Sequence, residues 1–210
     1  MAQSNSNRTR IKLVFTEPLL GTLSGQPDIA KEYILTKYPG EGLATDEVEA
    51  LPNPEESLGQ ASTKFARNKD GQPILWDYQI KGFFKDACAM LKRAAGDVGQ
   101  HSRLLKAHKK VIDGCIFVYP RQIPIQVNLA DLTWTERPLR AQTAQGERIA
   151  LARSETIPAG SSIEFEVALL DPKLFEQVNE WLEYGAMRGL GQWRNGSYGR
   201  FAWEIVGENG

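Results

Sequence analysis

The fold depends most on residues 162–205, which read SIEFEVALL-DPKLFEQVNEWLEYGAMR-GLGQWRNGSYGRFAWEI. This stretch encodes a strand, a helix, a glycine-rich loop and a final strand. Apolar and acidic side chains alternate over residues 162–170, as they do along a half-buried strand. Asp171-Pro172 is a helix start, in which a capping side chain precedes a first-turn proline. Residues 200–206 alternate again and place three apolar side chains on one face: Phe201, Trp203 and Ile205.

A longer amphipathic pattern lies upstream, in residues 77–95. Its apolar positions recur with helical spacing and predict a stripe that faces the core: Ile80, Phe83, Phe84, Ala87, Cys88, Leu91 and Ala94. We expect Asp77 to cap this helix and Gly96 to end it. Three apolar runs predict strands, over residues 10–17, 111–119 and 123–127.

Two further segments complete the predicted organisation. Residues 137–144 and 147–155 flank Gln145-Gly146 and predict a β-hairpin over about residues 134–156. Residues 40–70 predict an insertion with one short helix (45–51), preceded by a helix that starts at Asp28. The order predicts one α+β domain over residues 1–210, a ferredoxin-like or RRM-like antiparallel sheet with two helices on one face.

Composition excludes several classes of protein. The chain has 210 residues, 41% hydrophobic and 24% charged, which is typical of a globular protein in the cytoplasm. The sequence contains no run of 18 apolar residues, so no membrane span is expected. Its first residues contain no apolar segment, so no secretory signal is expected. The two cysteines, Cys88 and Cys115, do not form a disulfide scaffold or a zinc motif, so no metal is expected.

Charge is strongly segregated along the chain, although the net charge is only −1. Residues 41–56 contain six acidic side chains and no basic one, whereas residues 81–121 contain nine basic and three acidic side chains. The basic segment predicts either a phosphate-binding face or a solvated surface rich in lysine, and the sequence leaves both open.

The glycine-rich loop, residues 189–200, is a second candidate for contact with phosphates. Its glycines allow close approach to a ligand and expose backbone amides, while Arg194 and Arg200 add positive charge. The loop lacks the Walker sequence, and its position between a helix and a strand is not that of a dinucleotide fingerprint, so no nucleotide cofactor is expected. A plain connecting turn remains the alternative.

With its context, this loop resembles that of a known family. GLGQWRNGSYGRFAWEI is similar to the C-terminal glycine-rich loop and strand of the RAMP superfamily, the RRM-like proteins of CRISPR effector complexes. Three other stretches resemble family segments in the same order: IKLVFTEPLLG (11–21), DGQPILWDYQIKGFFKDA (70–87) and ARSETIPAGSSIEFEVALL (152–170). The chain departs from the family at residues 76–79, where Trp-Asp-Tyr-Gln replaces the usual Pro-Gly-Ser-Ser.

The resemblance is closest to the subunits that line the guide RNA, and to small stand-alone members carried by phages and prophages. It implies binding of single-stranded RNA in the bacterial cytoplasm, with self-association or other ribonucleoprotein subunits and without a cofactor. The residues that we expect to contact RNA are Gly189, Gly191, Trp193, Arg194, Gly196, Tyr198, Gly199, Arg200, Lys81, Lys85, Arg137, Arg140, Arg148 and Arg153.

Two alternatives to simple RNA binding remain open. Relatives in the processing branch cleave RNA without a metal by means of a histidine, and here only His101 or His108 is available for that role. Neighbouring lysines are expected to lower the pKa of such a histidine. In the other alternative, a phage-encoded mimic interferes with a CRISPR effector complex, and the acidic residues 41–56 imitate nucleic acid or meet a basic partner. The sequence favours binding without chemistry.

Overall fold

The structure, a computed structural model, describes residues 8–24, 62–143 and 146–207. The strands are β1 Arg8–Phe15, β2 Leu19–Leu20, β3 Leu23–Ser24, β4 Ser62–Lys64, β5 Ala66–Arg67, β6 Pro73–Trp76, β7 Ile116–Tyr119, β8 Gln122–Gln126, β9 Thr133–Thr143, β10 Gly146–Ile157, β11 Ser162–Leu169 and β12 Phe201–Ile205. The helices are α1 Asp77–Leu91, α2 Gln100–Leu104, α3 His108–Cys115 and α4 Phe175–Arg188. None of these helices is both long and apolar enough to cross a membrane.

The central sheet has the ferredoxin-like order that the sequence predicts. Strands β12, β1, β11 and β7 lie side by side, and each neighbouring pair is antiparallel. Helix α1 lies between β1 and β7 in the chain, and α4 between β11 and β12. The register places Leu13 of β1 opposite Ile163 of β11, and both side chains are buried. The predicted α+β fold class is therefore confirmed.

Helices α1 and α4 cover the face of the sheet that carries the apolar residues. Phe84 of α1 contacts Trp181 of α4, with ring centroids 5.4 Å apart, and both are fully buried. Phe83 meets Phe201 of β12 edge to face at 5.5 Å. Cys88 lies in the same core, where burial raises the pKa of its thiol. These contacts confirm the predicted apolar stripe of α1.

A second sheet, in the order β2-β10-β4-β3 with β9 paired to β10, carries the hairpin. Strands β9 and β10 confirm this hairpin and are longer than expected. The predicted insertion, residues 40–70, extends too far along the chain, because residues 62–67 form β4 and β5. Strand β4 runs parallel to β10. The helix from Asp28, the short helix 45–51 and the acidic residues 41–56 lie outside the described residues.

Three local predictions are wrong. Helix α1 ends at Leu91, four residues early, since the amides of Arg93 and Ala94 donate to carbonyls three residues back and not four, those of Met90 and Leu91. Its N-cap position is Trp76, and the side chain of Gln79 accepts the Trp76 amide there. Residues 111–115 are helical because Ile112 buries its side chain from α3, and a short apolar run does not distinguish a helix from a strand.

We expect Gly185→Ala to destabilise the protein by about 1–3 kcal/mol, because a Cβ atom there would lie 2.0 Å from Cζ of the buried Phe201. Gly82 in α1 is the matched control, since its Cβ would meet nothing within 4 Å. Gly82→Ala should instead stabilise by about 0.4–1 kcal/mol. Urea denaturation measures both changes, and equal effects would contradict the packing of α4 on β12.

Candidate nucleic-acid interface

The glycine-rich loop folds back against the turn that follows β1. The amide of Gly199 donates to the carbonyl of Pro18 at 2.8 Å, and the amide of Thr16 donates to the carbonyl of Arg200 at 2.9 Å. Within the loop, the amide of Leu190 donates to the carbonyl of Gly199 at 2.8 Å. The two ends of the loop are therefore tied together, and its middle lies on the surface of the protein.

Close backbone approach explains two of the glycines. Gly199 has φ +70°, and a Cβ atom there would lie 2.0 Å from the carbonyl oxygen of Leu190. Gly189 has φ +79°, and its Cβ would lie 2.4 Å from the carbonyl oxygen of Tyr198. Five loop amides already donate to carbonyls of the chain: those of Gly189, Leu190, Gly196, Ser197 and Gly199. These five amides are occupied, so side chains are the better candidates for contact with a ligand.

Three side chains form a stack at the surface, which we call the loop cluster: Arg137, Trp193 and Tyr198. The rings of Trp193 and Tyr198 are stacked, with centroids 5.0 Å apart and planes inclined by 15°. The guanidinium carbon of Arg137 lies 4.7 Å from the centroid of the Trp193 ring. Trp193 remains 42% exposed. The cluster thus combines an aromatic surface with a positive charge.

Arg137 carries a charge that no carboxylate of the described residues neutralises. Its Nη2 donates to Oε1 of Gln192 at 3.0 Å. Its Nε and Nη1 are enclosed and meet no acceptor among the described residues. Burial lowers the pKa of Arg137, partly opposed by Tyr198, but a guanidinium stays protonated in proteins. An anion that contacts this guanidinium would be attracted more strongly, because water screens the charge of a partly buried cation less.

Gln192 connects the loop to the second sheet, a role that the sequence analysis missed. Its Nε2 lies within donating distance of the hydroxyl of Thr63 at 2.7 Å, of the hydroxyl of Ser154 at 3.0 Å and of the carbonyl of Gly21. Strands β4 and β10 and the β2–β3 connection therefore meet at one amide. The only signal in the sequence was its position beside Trp193.

Arg194 and Arg200 are placed differently from Arg137. The Nη1 of Arg194 forms an ion pair with Oδ2 of Asp86 at 2.7 Å, and Arg188 pairs with the same oxygen at 3.2 Å. Arg194 therefore fastens the loop to α1. The Nε of Arg200 is enclosed without an acceptor among the described residues.

The two lysines of α1 lie on another side of that helix. Lys85 pairs with Asp113 of α3 at 2.5 Å, and Lys81 donates to the main-chain carbonyl of Asp113 at 3.2 Å. Lys81 also lies 5.1 Å from the ring centroid of Phe117, and burial is the main cause of its lowered pKa. Both lysines therefore fasten α3 to α1 and are not part of the loop cluster.

The hairpin arginines are divided between two faces of the second sheet. Arg137 of β9 lies opposite Ala152 of β10 in the strand register, so both side chains are on one face of the sheet. Arg153 follows Ala152 in β10 and therefore points to the opposite face. There the guanidinium of Arg153 lies 4.5 Å from the ring centroid of Trp134. In the backbone register Arg140 pairs with Ile149 and Arg148 with Ala141, and their side chains lie outside the described part of the structure.

The two histidines lie in the helical layer. The amide of His101 donates to Oε1 of Glu180 at 3.2 Å. Glu180 lies about 13 Å along α4 from Gly189, where the glycine-rich loop begins. His108 begins α3, and its Nε2 is enclosed without a partner among the described residues. Burial, followed by the charges of Lys92 and Lys109, lowers the pKa of His108. The predicted direction of the shift is confirmed for this histidine.

Known proteins are similar to this chain in structure, at low sequence identity. No family model matches the sequence, and no curated protein matches it. A chain of the type III-B Cmr-beta complex bound to cognate target RNA is similar in structure, with 12% identity and a TM-score of 0.47, over 96% of this chain and 61% of that chain. A chain of a type IV-B CRISPR complex is also similar, with 11% identity and a TM-score of 0.48, over 96% and 91%. Membership of the RAMP superfamily stays a prediction.

We expect Gly199→Ala to unfold the loop locally and to lower stability by more than Gly71→Ala. Both glycines have φ near +70°, at +70° and +77°, so both variants carry a similar backbone strain of about 1–2 kcal/mol. Only Gly199 would also place its Cβ on a carbonyl oxygen, whereas Gly71 faces open space. Urea denaturation reports the difference, and identical behaviour would contradict the loop crossing.

His108 predicts a dependence of stability on pH. The native state holds the His108 proton less tightly than the unfolded chain does, so the free energy of unfolding should rise from about pH 5 to about pH 7. His108→Asn should reduce this rise, and Lys109→Gln should reduce it in part, because it removes one of the neighbouring charges. Urea titrations across this pH range test the expectation, which fails if both variants follow the wild type.

Proposed function

We propose that this protein binds single-stranded RNA through the loop cluster, as a subunit of a ribonucleoprotein. The observation that supports this most is the Arg137 guanidinium, which has no carboxylate among the described residues and lies 4.7 Å from the exposed Trp193 ring. An aromatic face beside a cation is suited to a nucleotide, because the base stacks while the phosphate meets the charge.

The stack suggests how a nucleotide would bind. Tyr198 stacks on the Trp193 ring, and the guanidinium of Arg137 also lies over this ring. A base would stack on the exposed part of the Trp193 ring while a phosphate meets the adjacent guanidinium. Gln192 holds the loop and hairpin together, so both groups are already in place before binding. Gly189 and Gly199 act through the shape of the loop, since their amides are occupied.

Binding without cleavage is the function that the cluster favours. The loop cluster contains no histidine and no carboxylate, which are the side chains that most often act as general base or acid. Of the two candidates for a proton-transfer role, His101 and His108, His108 has its Nε2 enclosed. The RNA is therefore proposed as a ligand, and the protein as a platform for it.

Trp193→Ala should weaken binding of a short oligouridine by about 5- to 150-fold, the equivalent of about 1–3 kcal/mol for one stacked base. Tyr119→Ala is the matched control, because Tyr119 is also 42% exposed but lies on the central sheet. Fluorescence anisotropy at low salt measures both affinities. Wild-type affinity in Trp193→Ala, or an equal loss in Tyr119→Ala, would overturn the proposal.

A second measurement separates the cation from the ring and tests cleavage. Arg137→Gln should reduce the slope of log K against log salt by about 0.7, the value for one neutralised phosphate of a single strand. The RNA recovered from these titrations should be intact when chelator is present. Cleavage that disappears in His108→Ala or His101→Ala would replace the proposed role with that of a metal-independent endoribonuclease.

A further inference from the structure

Two cations of the basic stretch between α1 and α3 bind main-chain carbonyls of the same stretch. The ammonium group of Lys92 donates to the carbonyl of Leu105 at 2.8 Å. The guanidinium of Arg103 donates to three carbonyls of the preceding turn, those of Ala94, Gly96 and Val98, at 2.6–2.9 Å. These two side chains hold the segment in shape, as Lys81 and Lys85 hold α3.

Four cations of this segment remain at the surface, and we call them the basic corner: Arg93, Lys106, Lys109 and Lys110. All four are exposed, and none forms an ion pair within the described residues. Asp97 is the one acidic residue between positions 92 and 110. The next acid along the chain, Asp113, already contacts Lys81 and Lys85. The corner therefore carries four positive charges that no ion pair among the described residues neutralises.

The local backbone adds to this charge. Lys109 and Lys110 lie in the first turn of α3, where no acidic residue is present and the helix dipole is positive. Lysines at this end of a helix are unfavourable by themselves, so a nearby anion would relieve the repulsion. The stretch between α1 and α3 carries no exposed aromatic side chain, and its exposed large apolar side chains are Val98 and Leu104. It can attract a polyanion but offers no ring on which a base could stack.

We infer that the basic corner is a second RNA-contacting surface, which binds the phosphate backbone of the same strand without reading its sequence. This inference rests on the proposed function, because the four cations alone specify only a polyanion. Lys92, at the end of α1, lies about 9 Å of helix beyond Asp86, which pairs with Arg194 of the loop. A strand that extends past the loop cluster along α1 would therefore meet the corner.

The test compares two double variants on two RNAs. Lys109→Gln/Lys110→Gln removes two charges from the corner, and Lys69→Gln/Lys173→Gln removes two exposed charges elsewhere. For long poly-uridine, the corner variant should lower the slope of log K against log salt by about 1.4, from about 0.7 per phosphate. For an oligouridine a few nucleotides long, which occupies the loop cluster alone, its slope should equal that of the wild type.

The outcomes separate this inference from the proposed function. An unchanged slope on long RNA, or the same decrease in Lys69→Gln/Lys173→Gln, overturns the role of the corner while the loop cluster stands. If Trp193→Ala binds both RNAs like the wild type and only the corner variant loses slope, the loop cluster is overturned and the corner stands. If the wild type binds neither RNA, both proposals are overturned.

Discussion

The crossing of the chain at Leu190 and Gly199 is the constraint on which the candidate site depends. The amide of Leu190 donates to the carbonyl of Gly199, whose own amide donates to Pro18 after β1. A residue with a Cβ atom cannot occupy position 199, because the atom would lie 2.0 Å from a carbonyl oxygen. The crossing closes the loop behind Trp193 and Tyr198, so these rings stack at the surface while Phe201, two residues after the crossing, is buried.

The division of the cations into two groups follows from their neighbours. Arg194, Lys81, Lys85, Lys92 and Arg103 pair with carboxylates or carbonyls and connect segments that are distant in the chain. Arg137 instead donates to the Gln192 side chain and contacts the Trp193 ring, and the four cations of the basic corner form no ion pair among the described residues. Because no carboxylate of the described residues neutralises them, these cations matter most for binding an anionic ligand.

Much of the fold could be predicted because it depends on local periodicity. Strand β11 alternates as expected, and the apolar stripe of α1 faces the core. Residues 111–115 could not be assigned, since a short apolar run fits a buried helix as well as a strand. For the site, the stretch that contains Trp193 and Tyr198 was identified, but the ion pair between Lys85 and Asp113 joins positions far apart in sequence and has no local signal.

Local sequence patterns were enough to predict the α+β order of elements, the glycine-rich loop between α4 and β12, and the concentration of basic residues between positions 81 and 121. Periodicity, glycine and charge are properties of neighbouring residues, which is why they are visible without coordinates. The pairing of the cations, and the contact of Arg137, Trp193 and Tyr198, became visible only in the folded chain. Those contacts join strand β9 to a loop more than fifty residues away, and such distances arise only when the two sheets pack.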